Sequence, residues 1–363
     1  MKRKVAIIFG GKSAEHEVSF ASATNIYNAM DREQFTPILL GIDKKGEWYY
    51  NEKYQTANIN LVENDYFPEA ELVYLSSSEN HIQVIEKKSN QMLTSFDIAF
   101  PIVHGTFGED GTLQGILKSL DIPFVGPDVL GSAIAMDKDI AKRLFLSEGI
   151  PVALSYTIYK HNASRYTFMQ IADGLGIPFF VKPANAGSSV GVSKVTNEAE
   201  FHNAVQEGFR YDNKILVEEA VIGKELECGV LGNEEACASV VGEIVATESF
   251  YSYDAKYISS TGATLQVPAH IDSALSDSIR EYAVRAFHAI GCEGMARVDF
   301  LLSDSGKLVL NEINTLPGFT AISMYPKMWK KTGVSENELI TRLIMLAVQR
   351  HDRDANLSVE VTT

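Results

Sequence analysis

Asp299, Glu312 and Asn314 are the side chains whose types and spacing point most directly to chemistry. They lie on two apolar, β-prone runs, residues 297–302 and 307–314, joined by Ser303-Asp304-Ser305-Gly306, which is a hairpin signal. Glu312 and Asn314 are two positions apart, so on a strand they share a face. Folding the chain back at Ser305 and Gly306 brings Asp299 nearly opposite Glu312. An Asp, a Glu and an Asn then converge as an all-oxygen donor set. Hard cations such as Mg²⁺ take that set and leave the rest of their shell to water and phosphate oxygens. An exposed hairpin with acidic residues on its solvent face is the plainer reading, and it suits Asp304 in the turn. It suits the other three poorly, because the tight loop Thr315-Leu316-Pro317-Gly318 follows at once and is placed to carry a substrate.

Four further segments could act beside that hairpin. Asn185-Ala186-Gly187-Ser188-Ser189-Val190-Gly191 lies between two strand-like runs, and small residues let backbone N–H groups approach an anion closely. It is neither a Walker A loop nor a dinucleotide fingerprint. An ordinary hairpin turn would read the same, but Lys182 just before the loop adds a cation for phosphate. Residues 215–220 read as a strand ending in Glu218, Glu219 and Ala220, with Glu225 and Glu227 following. Carboxylates there can accept hydrogen bonds from ribose hydroxyls or an exocyclic amine, although each alone reads as a solvated surface group. The loop His104-Gly105-Thr106-Phe107-Gly108-Glu109-Asp110-Gly111 follows a strand, where open α/β sheets place ligands. His104 could equally be a structural histidine, and Asp110 a helix cap. Finally, residues 250–257, from Phe250 to Tyr257, carry four aromatics and Lys256 ahead of a polar stretch reaching Pro268, as a lid would.

These side chains need a scaffold, and the chain is long enough to supply one. Its 363 residues predict two or three domains, and 45% hydrophobic with 22% charged residues is ordinary for a globular protein. A net charge of −15 argues against non-specific nucleic-acid binding. Cys228, Cys237 and Cys292 show no CxxC spacing, so reduced core thiols in a cytosolic protein are expected. The apolar run at 5–9 is too short for a signal peptide, and no segment is long and apolar enough to span a bilayer. Strands are expected at 5–9, 37–42 and 96–103, with a helix at 15–30, giving α/β with a parallel sheet. Residues 47–95 show no clear elements. A break near 123–128 ends a first domain; a helix from about 137 and a strand at 179–182 open a second, and a third begins near 215. The last helix is expected at 336–349, with Leu339, Leu343 and Leu346 in the core, and a polar, disordered tail from Asp352.

Taken in order, these segments resemble the ATP-grasp enzymes, and among them the D-alanine–D-alanine ligases, over nearly the whole chain. The residues that carry the resemblance are 10–19, 104–111, 182–191, Ala255-Lys256-Tyr257, Arg297-Val298-Asp299 and 312–320. Ser252 and Asp254 depart from the acidic pair the family often shows there. The resemblance implies a three-domain ATP-grasp architecture: residues 1–127 with a Rossmann-like parallel sheet, 128–214, and 215–363 with a lid at 251–268. It implies Mg²⁺, as two ions that Mn²⁺ can replace, on Asp299, Glu312 and Asn314. Lys138 and Lys182 would contact the phosphates of ATP, Glu225 the ribose, and Glu218 with the backbone near Ala220 the adenine; Phe250 and Lys256 would complete the nucleotide site. Glu15 would hold the ammonium of the first D-alanine, beside His104. Arg297 and the Gly318 N–H would stabilise the oxyanion, and Ser323 would bind the second carboxylate. Ser188 and Tyr257 would tie loop and lid to Glu15, and Tyr257 would favour the dipeptide over a D-lactate ester. The implied product is D-alanyl-D-alanine, made through a D-alanyl phosphate by a cytoplasmic homodimer for peptidoglycan, with no nucleic-acid or membrane partner. Other ATP-grasp ligases share the hairpin and glycine loop but not the Glu15 loop and Ala255-Lys256-Tyr257. A nucleotide-binding regulator without catalysis would be expected to lack a metal ligand or Arg297, and an oxidoreductase would carry GxGxxG; neither holds here.

Overall fold

A computed structural model describes residues 2–78, 81–246 and 263–358. The first strand, β1 (Arg3–Gly10), pairs in parallel with β2 (Phe35–Ile42) on one side and with β7 (Ile98–Pro101) on the other. Val5 to Phe9 are all fully buried because both faces of β1 are covered. Val5, Ile7 and Phe9 join one core and Ala6 and Ile8 another. The helix His16–Ala29 is entered from the glycine turn, as the sequence predicts.

Beyond β2 the sheet departs from the expected pattern. Residues 47–95, read as irregular, form an antiparallel meander of β3 (Trp48–Tyr50), β4 (Glu71–Ser78), β5 (His81–Glu86) and β6 (Met92–Phe96). The whole sheet has seven strands in the order β6-β5-β4-β3-β2-β1-β7. Phe96 closes β6, so the third parallel strand is shorter than the expected 96–103.

Two antiparallel sheets follow. The first runs β10 (Ser193–Val195), β9 (Phe179–Pro183), β11 (Lys214–Glu219), β8 (Ser155–Tyr159). Ile158, Phe179, Val181, Ile215 and Val217 form its core, against the helices Phe168–Leu175 and Glu198–Tyr211. The second runs β14 (Ala263–Gln266), β13 (Cys237–Ala246), β12 (Gly223–Gly232), β15 (Gly294–Ser303), β16 (Leu308–Asn314). The expected lid at 251–268 therefore ends in an edge strand; 251–262 lie outside the described residues. Cys228 and Cys292 are buried, but Cys237 is exposed at the start of β13, against expectation.

The last helix, Glu336–Ala355, lays Leu339, Leu343 and Ile344 into the core that contains Val5 and Phe9. It runs past the point where a disordered tail was expected, and two arginines explain why. Arg350 is buried and donates to the carbonyls of Phe124 (2.8 Å) and Gly126 (2.5 Å). Arg353 pairs with Glu234 and Glu293 at 2.5 Å each. Polar spacing in sequence hides such anchors, because both partners of Arg353 come from distant loops. No helix among the described residues is long and apolar enough to cross a membrane.

Candidate active site

The three sheets surround a cleft of about 1130 Å³, lined by Glu15, Lys138, Ser188, Arg297, Glu312 and Ser323 among others. The hairpin β15–β16 forms one wall. Its register sets Asp299 opposite Glu312, as the sequence predicts, and also Arg297 opposite Asn314, with a bulge between Asp299 and Phe300. Arg297 grips Asp299 through two hydrogen bonds of 2.8 Å, and the Asn314 amide donates to the same carboxylate at 2.9 Å. Arg297 also lies 3.2 Å from Glu227.

The donor set is oxygen-rich but holds two carboxylates and one amide. Among the described residues no group of three or more His, Cys, Asp or Glu stands ready for a metal. Such a set fits a hard cation that completes its shell with water and phosphate oxygens, and does not fit a closed protein cage. The carboxylates are now occupied by protein cations: Arg297 on Asp299, and Lys138, 3.4 Å from Glu312.

Lys138 begins the helix Lys138–Ser147, capped by the Asp137 side chain, which accepts from the Ile140 N–H at 3.2 Å. Lys214 holds Asp137 in turn, at 2.5–2.6 Å. The Lys138 ammonium donates to the Ala186 carbonyl at 2.7 Å, which fixes the glycine-serine loop against the hairpin. Behind the loop, Lys182 lies 2.6 Å from Glu218 and Lys142 lies 2.9 Å from the other oxygen of the same carboxylate. Burial opposes ionisation of Glu218, yet the charges of the two lysines outweigh it and hold the carboxyl below its ordinary range.

The opposite wall is built from loops. Ser188 donates to Glu15 across 173 positions of sequence. Ser13 receives the Glu15 N–H at 2.9 Å and donates to the His104 carbonyl at 2.7 Å. His104 is buried; its Nδ1 is 3.1 Å from the Leu316 carbonyl and its Nε2 is 2.9 Å from the Ser22 hydroxyl. A carbonyl can only accept, so Nδ1 carries the proton and, in the neutral ring, Nε2 accepts from Ser22. His104 thus braces the loop after β16. Glu109 lines the cleft beside Glu15; burial raises its carboxyl, aided by the Glu15 charge and opposed by His104. Asp110 accepts from the N–H groups of Phe107 (2.8 Å) and Thr112 (2.9 Å), so it ties the loop to the first residue of the helix Thr112–Ser119, whose N-cap is Gly111 and not Asp110 as expected. Ser323 accepts from the Thr320 N–H at 3.0 Å and stands beside Gly318, where an added Cβ would lie 2.9 Å from its hydroxyl.

The fold brings Glu15, His104, Lys138, Ser188, Arg297, Glu312, Asn314, Gly318 and Ser323 to one cleft. Lys182 and Glu218 are buried together behind it, while Glu225 and Ala220 are only partly buried and, among the described residues, are not part of its lining. Phe250, Lys256 and Tyr257 lie outside the described residues. Sequence reasoning missed Lys142 as a site residue. Its position four after Lys138 places both lysines on one face of the helix, and that spacing was the available signal. Glu227, read only as one of the carboxylates able to accept from a ribose or an exocyclic amine, lies two after Glu225 on β12 and meets Arg297 instead.

A cation-rich cleft between two antiparallel sheets, roofed by a mixed α/β sheet, is the architecture of ATP-grasp ligases. Residues 4–127 match the family model for the D-ala D-ala ligase N-terminus and residues 144–345 the model for its C-terminus, so the chain belongs to the D-alanine–D-alanine ligase family. It is 52% identical to the D-alanine–D-alanine ligase of Oceanobacillus iheyensis over 98% of each chain. It is 49% identical to D-alanine–D-alanine ligase A of Escherichia coli over 97% of this chain and 98% of that one. Among solved structures it resembles the ligase of Coxiella burnetii (36% identical, TM-score 0.84, 98% and 97% covered). It also resembles the VanG D-Ala:D-Ser ligase of Enterococcus faecalis (37% identical, TM-score 0.85, 96% and 100% covered).

Proposed function

We propose that the protein joins two D-alanine molecules into D-alanyl-D-alanine for peptidoglycan, with cleavage of ATP to ADP and phosphate. The observation that carries this reading is the wall-to-wall arrangement of Arg297, Lys138 and the Asp299–Glu312–Asn314 hairpin facing Glu15 and Ser188 across one cleft. The carboxylate of the first D-alanine attacks the γ-phosphorus of ATP, the bridging P–O bond breaks, and ADP leaves. Lys138 and Lys182 neutralise charge that grows on the phosphoryl oxygens. Mg²⁺ on the hairpin residues, as two ions that Mn²⁺ could replace, would supply further charge neutralisation. Glu15 holds the first substrate's ammonium through a charge-assisted contact, with Ser188 fixing the carboxylate. The amine of the second D-alanine then attacks the acyl carbon and loses a proton, and phosphate departs with the former carboxylate oxygen. Arg297, held by Asp299, and the Gly318 N–H stabilise the oxyanion, while Ser323 receives the second carboxylate. Exclusion of water protects the acyl phosphate from hydrolysis.

The same reading divides the chain at 1–127, 128–214 and 215–363, makes the protein a cytoplasmic homodimer, and gives the adenosine to Glu218, Ala220, Glu225, Phe250 and Lys256. Tyr257 steers the second step toward an amine nucleophile. ATP-dependent phosphate release with D-alanine alone, beside L-alanine, D-serine and D-lactate controls, tests it. Phosphate matched by D-alanyl-D-alanine is expected. Release only with a mixed D-alanine and D-serine pair would move the protein to a variant-precursor ligase, and release with none would refute the ligase reading.

A further inference from the structure

Lys142 is the most deeply buried cation near the site that the reaction scheme leaves unused. It is 3% exposed, and among the described residues its one ion pair is with Glu218. The 2.9 Å contact lies off the line of a good hydrogen bond, so the ammonium is charge-paired but poorly hydrogen-bonded. Burial pushes Lys142 down from its ordinary range, with Glu218 opposing. Glu218 already has a second, closer cation in Lys182, at 2.6 Å. Two buried ammonium groups therefore share one buried carboxylate. A protein that needed only a stable core pair would gain nothing from the second lysine, since burying surplus charge costs stability.

The surplus makes sense once Lys182 must leave. On the reading given above, Lys182 moves to the phosphates of ATP. That move would strip Glu218 of its nearest cation inside the protein, and a buried carboxylate left unpaired is strongly unfavourable. We propose that Lys142 is a positioning residue that remains as the counter-ion of Glu218 when Lys182 transfers to the nucleotide's phosphates, so that ATP binding does not leave a buried carboxylate without a counter-ion. The geometry supports the exchange: the lysines approach opposite oxygens of Glu218, so one can depart without displacing the other. Lys182 also has a second polar neighbour, Asn311 Oδ1 at 3.4 Å on β16, the strand that carries Glu312 and Asn314.

The inference rests on the assignment of Lys182 to the phosphates, and the test separates the two. The dissociation constants of ATP and of adenosine are measured by calorimetry for the parent, Lys142→Met, Lys142→Arg and Lys182→Met, with thermal unfolding of each nucleotide-free protein. Lys142→Met is expected to weaken ATP by on the order of 10²- to 10³-fold, the scale set by a buried carboxylate losing its partner. Its adenosine affinity is expected to stay at the parent value, because without phosphates Lys182 stays on Glu218. Its nucleotide-free melting temperature is expected to match or exceed the parent's, and Lys142→Arg to recover most of the ATP affinity. ATP binding by Lys142→Met at the parent's strength would overturn the proposal. So would equal losses for ATP and adenosine, or a fall in melting temperature alongside the loss, since each marks a purely structural lysine. Unchanged ATP binding by Lys182→Met would instead refute the phosphate role of Lys182, and with it the exchange.

Discussion

The two walls of the cleft are made in different ways. The hairpin wall draws Arg297, Asp299, Glu312 and Asn314 from two adjacent strands, and their mutual positions follow from one ladder register. The loop wall draws Glu15, His104 and Ser188 from three segments far apart in sequence, joined by hydrogen bonds between loops and not by a strand ladder. Ser188 and Gly105 both take positive φ, 51° and 79°. The hairpin wall has its charges fixed before any ligand arrives, as electrostatic stabilisation of a transition state requires. The loop wall has no strand ladder, and such loops are where proteins commonly admit and enclose ligands. The paired strands carry Arg297 and the oxygen donors, and loops carry Glu15, His104 and Ser188.

Breaking the hairpin wall should have the largest consequence. Asp299→Ala removes one oxygen donor and leaves Arg297 and Asn314 without their shared partner. Turnover should fall by on the order of 10³-fold or more, measured as steady-state phosphate release, with circular dichroism unchanged. On the loop wall, Gly105→Ala would place a Cβ 2.8 Å from Glu15 Oε2 and 2.9 Å from Ser13 Oγ, at a φ that L-residues rarely adopt. The KM for the first D-alanine should rise about 10- to 100-fold, more than kcat falls, because Glu15 is displaced and the hairpin is not. Ser188→Ala removes only the loop's tie to Glu15 and should cost roughly tenfold in kcat/KM, in line with one charge-assisted hydrogen bond. The reverse order, with Ser188→Ala worse than Asp299→Ala, would break the comparison.

The smallest effect concerns pH and the triad behind the cleft. The Glu218 carboxyl lies below its ordinary value of 4.5, so its pairing contributes stability above that pH and loses it as pH falls through the folded value. Glu218→Gln should therefore melt below the parent at neutral pH, by a few degrees, and the gap should close in acid. A gap that stays constant from neutral to acid would show that the charge of Glu218 is not what stabilises the pair.

What the sequence revealed follows the same division. The hairpin was legible because strand period and a Ser-Asp-Ser-Gly turn together fix which residues face each other; Asp299 opposite Glu312 needed no tertiary knowledge. The loop wall was legible only as motifs, since nothing local says that Ser188 reaches Glu15. The Lys142–Glu218 pair was invisible, because a helix and β11 far apart in sequence create it. The meander β3 to β6 was missed because its strands are short or half-exposed, so their alternation is weak. The final helix was expected to stop at Gln349 because the residues that continue it are polar or charged, and the partners of Arg353, Glu234 and Glu293, lie elsewhere in the chain.

The most direct test of the central claim follows the oxygen. D-Alanine carrying ¹⁸O in its carboxyl group is incubated with ATP, Mg²⁺ and the protein, and the released phosphate is analysed by mass spectrometry or ³¹P NMR. Attack of the carboxylate on the γ-phosphorus, followed by amine attack at carbon, predicts one ¹⁸O atom in each phosphate and its loss from the new peptide carbonyl carbon. Phosphate free of ¹⁸O, released while the dipeptide forms, would contradict carboxylate activation and the roles assigned to both walls of the cleft.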